Sequence, residues 1–160
     1  MNAKDETNNK LSPHTIAVAA GRPPRTAGSP VNPAIVLSST YHSTAVPSEN
    51  EKLYTRLGTE TWEPFEDAVA QLENAHLPGV LFASGMAAIA AVFALVPAGG
   101  KIVIARHSYQ MALGLADELA TRFNIEVVRV DIENTAETIA AFDGANLVWV
   151  ESPTNPMLEV

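Results

Sequence analysis

Residues 80–96 read Val-Leu-Phe-Ala-Ser-Gly-Met-Ala-Ala-Ile-Ala-Ala-Val-Phe-Ala-Leu-Val, and their character changes at the Ser84-Gly85 pair. Before it, residues 80–83 form a short apolar run of the length of a buried strand. After it, Met86, Ile89 and Phe93 recur at helical spacing in an alanine-rich segment that Pro97 and Gly99-Gly100 bring to an end. A strand, a small-residue turn and a helix in succession form the repeating unit of an α/β protein.

Downstream the order repeats. A strand is expected over residues 102–105, then a helix over 110–122 with Met111, Leu115 and Leu119 as its apolar stripe. A second strand over 126–130 precedes a short helix over 135–142, and Asp143-Gly144 turns the chain into a strand over 147–150. Strands this apolar, joined by helix-length connections, predict an α/β fold with a mainly parallel sheet covered on both faces.

Upstream, Trp62, Phe65, Val69 and Leu72 fall at helical spacing, Thr61 can cap, and Pro64 is tolerated in the first turn. This helix should stop before Pro78-Gly79. Residues 11–60 carry prolines at 13, 23, 24, 30, 33 and 47, too closely spaced for a long helix. They predict an extended arm, and the apolar residues 34–37 predict that it lies on another surface, a neighbouring subunit. Residues 1–10 are polar and aperiodic, the composition of a flexible tail. Glu51 and Lys52 read as loop charge, and the acidic residues between Glu60 and Glu73 as a solvated helix face.

Composition narrows the function classes. The formal net charge is −8 with no run of Lys or Arg, so the counterion release that drives nucleic-acid binding has no source. No apolar run approaches the span of a bilayer and no secretory signal opens the chain, which makes a cytoplasmic protein the expectation. Cysteine is absent and the four histidines are scattered, so no metal site is expected.

In parallel α/β sheets ligands collect beyond the carboxyl ends of the strands. That directs attention to residues 84–86, 106–109, Asp131 and 151–156. At Ser84-Gly85-Met86 a helix begins directly after the small-residue turn, leaving backbone N–H groups and partial positive charge facing outward, which suits an anion. The same turn also suits plain core packing of Met86, Ile89 and Phe93. Neither a Walker A nor a GxGxxG pattern is present.

Tyr54-Thr55-Arg56, Ser84-Gly85-Met86-Ala87-Ala88, Tyr109 and Glu151-Ser152-Pro153-Thr154-Asn155-Pro156, in that order and spacing, resemble the Cys/Met-metabolism enzymes that use pyridoxal 5'-phosphate (PLP). The resemblance spans residues 15–160. It implies the fold-type I, aspartate-aminotransferase-like architecture, with residues 61–160 as the first part of the large PLP-binding domain. It implies further that Gly85 and Met86 offer amides to the cofactor phosphate, and that Tyr54 and Arg56 reach the phosphate of a neighbouring subunit. Tyr109 would stack on the pyridine ring, and Asn155 would lie near the phenolic oxygen and the substrate carboxylate. The activity implied is transsulfuration of a small amino acid substrate by a homo-oligomer, a dimer of dimers. Cystathionine γ-synthase is the first reading, with a cystathionine γ- or β-lyase or a homoserine-ester sulfhydrylase as alternatives; a non-catalytic α/β phosphate-binding module is the alternative of another class.

Two segments depart from the family pattern. Thr59-Glu60-Thr61 stands where Asn-Pro-Thr is usual, and Gln110-Met111-Ala112 follows the tyrosine in place of small glycines and a threonine. The family's aspartate for the pyridine nitrogen and its Schiff-base lysine lie beyond position 160, so this chain by itself is expected to be inactive. Lys101 opens a strand at the end of the sheet away from the ligand edge.

Overall fold

The computed structural model describes residues 11–49 and 51–160, so the expected tail at 1–10 lies outside it. The chain divides between Leu81 and Phe82 into two compact units.

In the first unit, helix α1 (Pro13–Ala19) starts where Ser12 Oγ accepts from Thr15 N at 3.2 Å, with proline at its first position. Helix α2 (Glu63–Leu72) packs against it. Gly21 lets the chain leave α1 at φ +69°, where a Cβ would come within 2.2 Å of the Pro64 carbonyl oxygen. Among the described residues the intervening run is extended segments broken by turns and bends, with one 3₁₀ turn, Thr55–Leu57. It folds back on itself through an antiparallel bridge between Thr40 and Tyr54, with Tyr41 N donating to Leu53 O and Thr55 N to Ser39 O.

Three expectations change here. Thr61 does not cap α2, because Trp62 occupies that position without a side-chain bond, while the Thr61 hydroxyl accepts from Val36 N at 2.9 Å. Glu51 and Lys52 are not idle charges. Glu51 accepts from the Thr44 amide at 2.9 Å, and Lys52 pairs with Glu63. Nor is the acidic face of α2 merely solvated, since Glu66 takes the Leu81 amide at 2.6 Å. The apolar positions Phe65, Val69 and Leu72 stay partly exposed, and Ala70 is the buried residue of the helix.

The second unit carries a three-stranded parallel sheet in the order β2-β1-β3. The central strand β1 (Lys101–Ala105) pairs with β2 (Glu126–Val130) from Lys101↔Glu126 to Ala105↔Val130. It pairs with β3 (Leu147–Trp149) from Ile102↔Leu147 to Ile104↔Trp149. Helix α3 (Gly85–Phe93) leads into β1, α4 (Gln110–Phe123) joins β1 to β2, and α5 (Thr135–Ala141) joins β2 to β3.

Period-2 alternation sends Ile102 and Ile104 to one face, where they meet Phe93, Val96, Ala112, Ala116 and Ile125 in the core. Ala112 and Ala116, one helical turn apart, let α4 lie close to that core. The expected stripe is therefore displaced: Leu115 and Leu119 flank the alanines, but Met111 points outward at 56% exposure. A second correction concerns residues 80–83, which form no strand; Val80, Leu81 and Phe82 remain exposed. Their apolar character signals burial but does not name a pairing partner, and pairing is non-local. Among the described residues no helix is long and apolar enough to cross a membrane.

Candidate functional site

At the start of α3 the Ser84 backbone is extended, and its side-chain oxygen accepts from Ala87 N at 3.1 Å while its carbonyl accepts from Ala88 N at 3.2 Å. The Gly85 and Met86 amides precede these and have no preceding turn of helix to bond, so they remain available to an anion at the positive end of the helix. A Cβ built on Gly85 would meet nothing within 4 Å. The space in front of the turn is therefore open, and a phosphate can approach the bare backbone there. A doubly charged phosphate ester fits this donor set.

Tyr109 lies just past β1 as the N-cap of α4, and the residue is 39% exposed. Its own amide donates to both oxygens of Glu151, at 3.1 and 3.0 Å. Glu151 follows β3, the strand beside β1, and also accepts from Trp149 Nε1 at 3.1 Å. The Trp149 ring stands edge-on to Phe93 at the far end of α3, with centroids 5.4 Å apart.

Asn155 is exposed at the tip of a loop that closes on Thr154 and Glu159. Thr154 is buried; its amide donates to Glu159 O at 2.9 Å, and its hydroxyl accepts from Glu159 N at 2.9 Å. The Glu159 carboxylate meets Arg106 at 3.2 Å and His107 at 2.7 Å, and Arg106 reaches on to Asp131 at 2.7 Å. Burial pushes the Glu159 carboxyl up, but the bonds from His107 and Arg106 outweigh it and hold the group below the usual carboxylate range. Asp131, Glu133 and Glu159 thus converge, an acidic group with Arg106 already among it.

Four of the expected residues, Gly85, Met86, Tyr109 and Asn155, stand in the second unit on the elements foreseen for them. Tyr54 and Arg56 belong to the first unit, where the guanidinium lies 4.8 Å over the tyrosine ring. They line an open groove with residues 36–39 and Trp62. Nearby, the departure at Thr59-Glu60-Thr61 serves the arm: Thr59 is fully buried, and the Tyr41 hydroxyl lies 3.0 Å from Thr59 Oγ1 and 3.1 Å from Glu60 Oε2. Reading the sequence left Glu151 and Glu159 without roles. Besides the near neighbours Trp149 and Thr154, their partners Tyr109, Arg106 and His107 lie 42 and 52 or more positions away, and only the strand order brings them together.

The sequence matches the model of the Cys/Met metabolism PLP-dependent enzymes over residues 14–160. The chain belongs to that family. It is 35% identical over 137 residues to a cystathionine beta-lyase of Lactococcus lactis subsp. cremoris, covering 85% of this chain and 36% of that protein. The fold superposes on metB from Corynebacterium glutamicum with a TM-score of 0.84 at 34% identity, covering 96% of this chain and 40% of that one. It superposes on cystathionine gamma synthase from Xanthomonas oryzae pv. oryzae in complex with cystathionine with a TM-score of 0.82 at 30% identity, over 94% and 39%. The architecture is therefore that of fold-type I PLP enzymes, of whose length the chain spans about two fifths.

Proposed function

We propose that this chain supplies the phosphate-binding turn and the ring-stacking face of a PLP site in a transsulfuration enzyme acting on a small amino acid. The observation that carries the proposal is the start of α3, where the first two amides lack an intrahelical acceptor and a Cβ on Gly85 would meet nothing within 4 Å. Gly85 and Met86 would hold the phosphate, and Tyr109 would lie against the ring. Asn155 would sit near the phenolic oxygen and the substrate carboxylate. Tyr54 and Arg56 would complete the phosphate site of a neighbouring subunit in a homo-oligomer, a guanidinium fork matching phosphate oxygens two at a time. When bound, PLP supplies an electron-accepting ring that takes up the charge developing at the substrate Cα. These residues bind and orient; none of them is assigned a proton transfer.

Among transsulfuration reactions, γ-replacement on an activated homoserine to give cystathionine is the first reading, supported by the likeness to the Xanthomonas synthase. Cystathionine cleavage is the second, supported by the likeness to the Lactococcus lyase. Assaying the assembled enzyme for cystathionine formation and for cystathionine breakdown separates the two.

The binding test is calorimetric titration of the chain and of Gly85→Val with PLP and with pyridoxal, which lacks the phosphate. The wild-type chain should prefer PLP. The valine variant should keep its melting temperature, since a Cβ at this position meets nothing within 4 Å, and lose about tenfold or more in PLP affinity, about 1.4 kcal/mol. Equal PLP affinity in the two proteins would remove the phosphate reading.

A further inference from the structure

We propose that Glu151 is the positioning residue of Tyr109, holding the tyrosine where its ring can stack; the proposal rests on the cofactor reading given above. Tyr109 is the N-cap of a 14-residue helix, yet its side chain makes no capping bond. In a capping box the third helical residue is a Glu or Gln that reaches back to the N-cap amide. That position in α4 is Ala112, which is fully buried in the core and offers no acceptor. The carboxylate comes instead from another strand: both oxygens of Glu151 accept from the Tyr109 amide, at 3.1 and 3.0 Å.

Two features make this contact more than a surface hydrogen bond. A negative charge at the start of a long helix is favoured by the macrodipole, and a charge-assisted bond is stronger than a neutral one. The carboxylate is also held from its other side, where Trp149 Nε1 donates to Oε1 at 3.1 Å and the indole packs edge-on against Phe93 of α3. Phe93 closes the same helix whose first turn presents Gly85 and Met86. Glu151 therefore ties the backbone of the stacking residue to the body of the phosphate-binding helix through Trp149 and Phe93. Tyr109 is left 39% exposed, with its amide tied to Glu151.

The test is a double-mutant cycle in PLP affinity on the whole chain, using wild type, Glu151→Ala, Tyr109→Ala and the double variant, with the Tyr109 amide followed by ¹⁵N-resolved NMR in the absence of cofactor. Glu151→Ala should weaken PLP binding about tenfold when Tyr109 is present and by less than about twofold when it is Ala, because contacting residues are non-additive. The Tyr109 amide proton should move upfield in both Glu151→Ala and Glu151→Gln. Should the alanine variant not fold, Glu151→Gln, which keeps an oxygen for Trp149, carries the same cycle. An equal loss in both Tyr109 backgrounds would show a purely structural cap and overturn the proposal. PLP binding by the wild type with an unmoved Tyr109 amide in the variants would overturn the positioning alone. A shifted amide in a wild-type chain that binds no PLP would overturn the cofactor reading, and with it any role for Glu151 beyond capping α4.

Discussion

Ser108 and Thr154 are two buried hydroxyls in opposite circumstances. Ser108 is 2% exposed, and its oxygen has no hydrogen-bond partner among the described residues, whereas the Thr154 oxygen accepts from Glu159 N. An unpaired buried hydroxyl costs about 1–3 kcal/mol, so Ser108→Ala should leave the melting temperature unchanged or raise it. Thr154→Val, nearly equal in volume, strands the Glu159 amide and should cost about 1–3 kcal/mol. Chemical denaturation of the two variants checks the contrast. Glu159 adds a pH dependence. Its folded pKa is depressed, so its contribution is present above the ordinary carboxylate range and fades as pH falls through the folded value. Glu159→Gln should therefore be destabilised relative to wild type at about pH 7 and close to it at a pH below the folded value, where both carry a neutral side chain. Urea melts at the two values decide it, and an undiminished gap in acid would contradict the clamp by Arg106 and His107. Tyr109 is a third case: if stacking is its role, Tyr109→Ala should lose far more PLP affinity than Tyr109→Phe, which keeps the ring.

At the scale of elements, what could be read from the sequence was what is local. The strand at Glu126–Val130 and the helix start at Gln110 lie where periodicity and flanking turns put them. The helix start after Ser84 was legible because a helix start is a local event. Residues 80–83 misled because an apolar run does not name its partner, and Met111 because alanines can carry a packing face that larger residues seem to own. Glu151 could not be given a role from sequence, since it requires knowing that β3 lies beside β1. The arm shows the same limit at Gly21, whose close approach to α2 no local pattern names. Gly21→Ala puts a Cβ at φ +69° and within 2.2 Å of Pro64 O, against backbone that cannot swing away. Gly28→Ala also falls in the left-handed region, at φ +85°, but in open space. The left-handed term alone should cost about 1–3 kcal/mol at either site, so thermal melts should show Gly21→Ala clearly below Gly28→Ala. Equal melting temperatures would mean that α1 does not depend on the contact with α2.

For the whole molecule, the distribution of lysines sets a limit on what the chain can do with PLP. Four lysines are present, at positions 4, 10, 52 and 101, and Lys101 alone falls in the unit that bears Gly85, Met86 and Tyr109. It opens β1, and its ammonium donates to Asp143 O at 2.8 Å. Tyr109 follows the other end of the same strand. A five-residue strand measures about 15 Å at a rise of about 3.3 Å per residue, and a lysine side chain cannot fold back along a paired, buried strand to cover that distance. An aldehyde held at Gly85 and Met86 should therefore find no lysine of this unit within reach. The expected result, after mixing the chain with PLP, reducing with borohydride and mapping by mass spectrometry, is sparse labelling that does not favour Lys101. Labelling should rise with PLP concentration without saturating at one site. Stoichiometric modification of Lys101, abolished by Gly85→Val, would mean that bound PLP and Lys101 meet, and would place the proposed phosphate turn at the Lys101 end of β1.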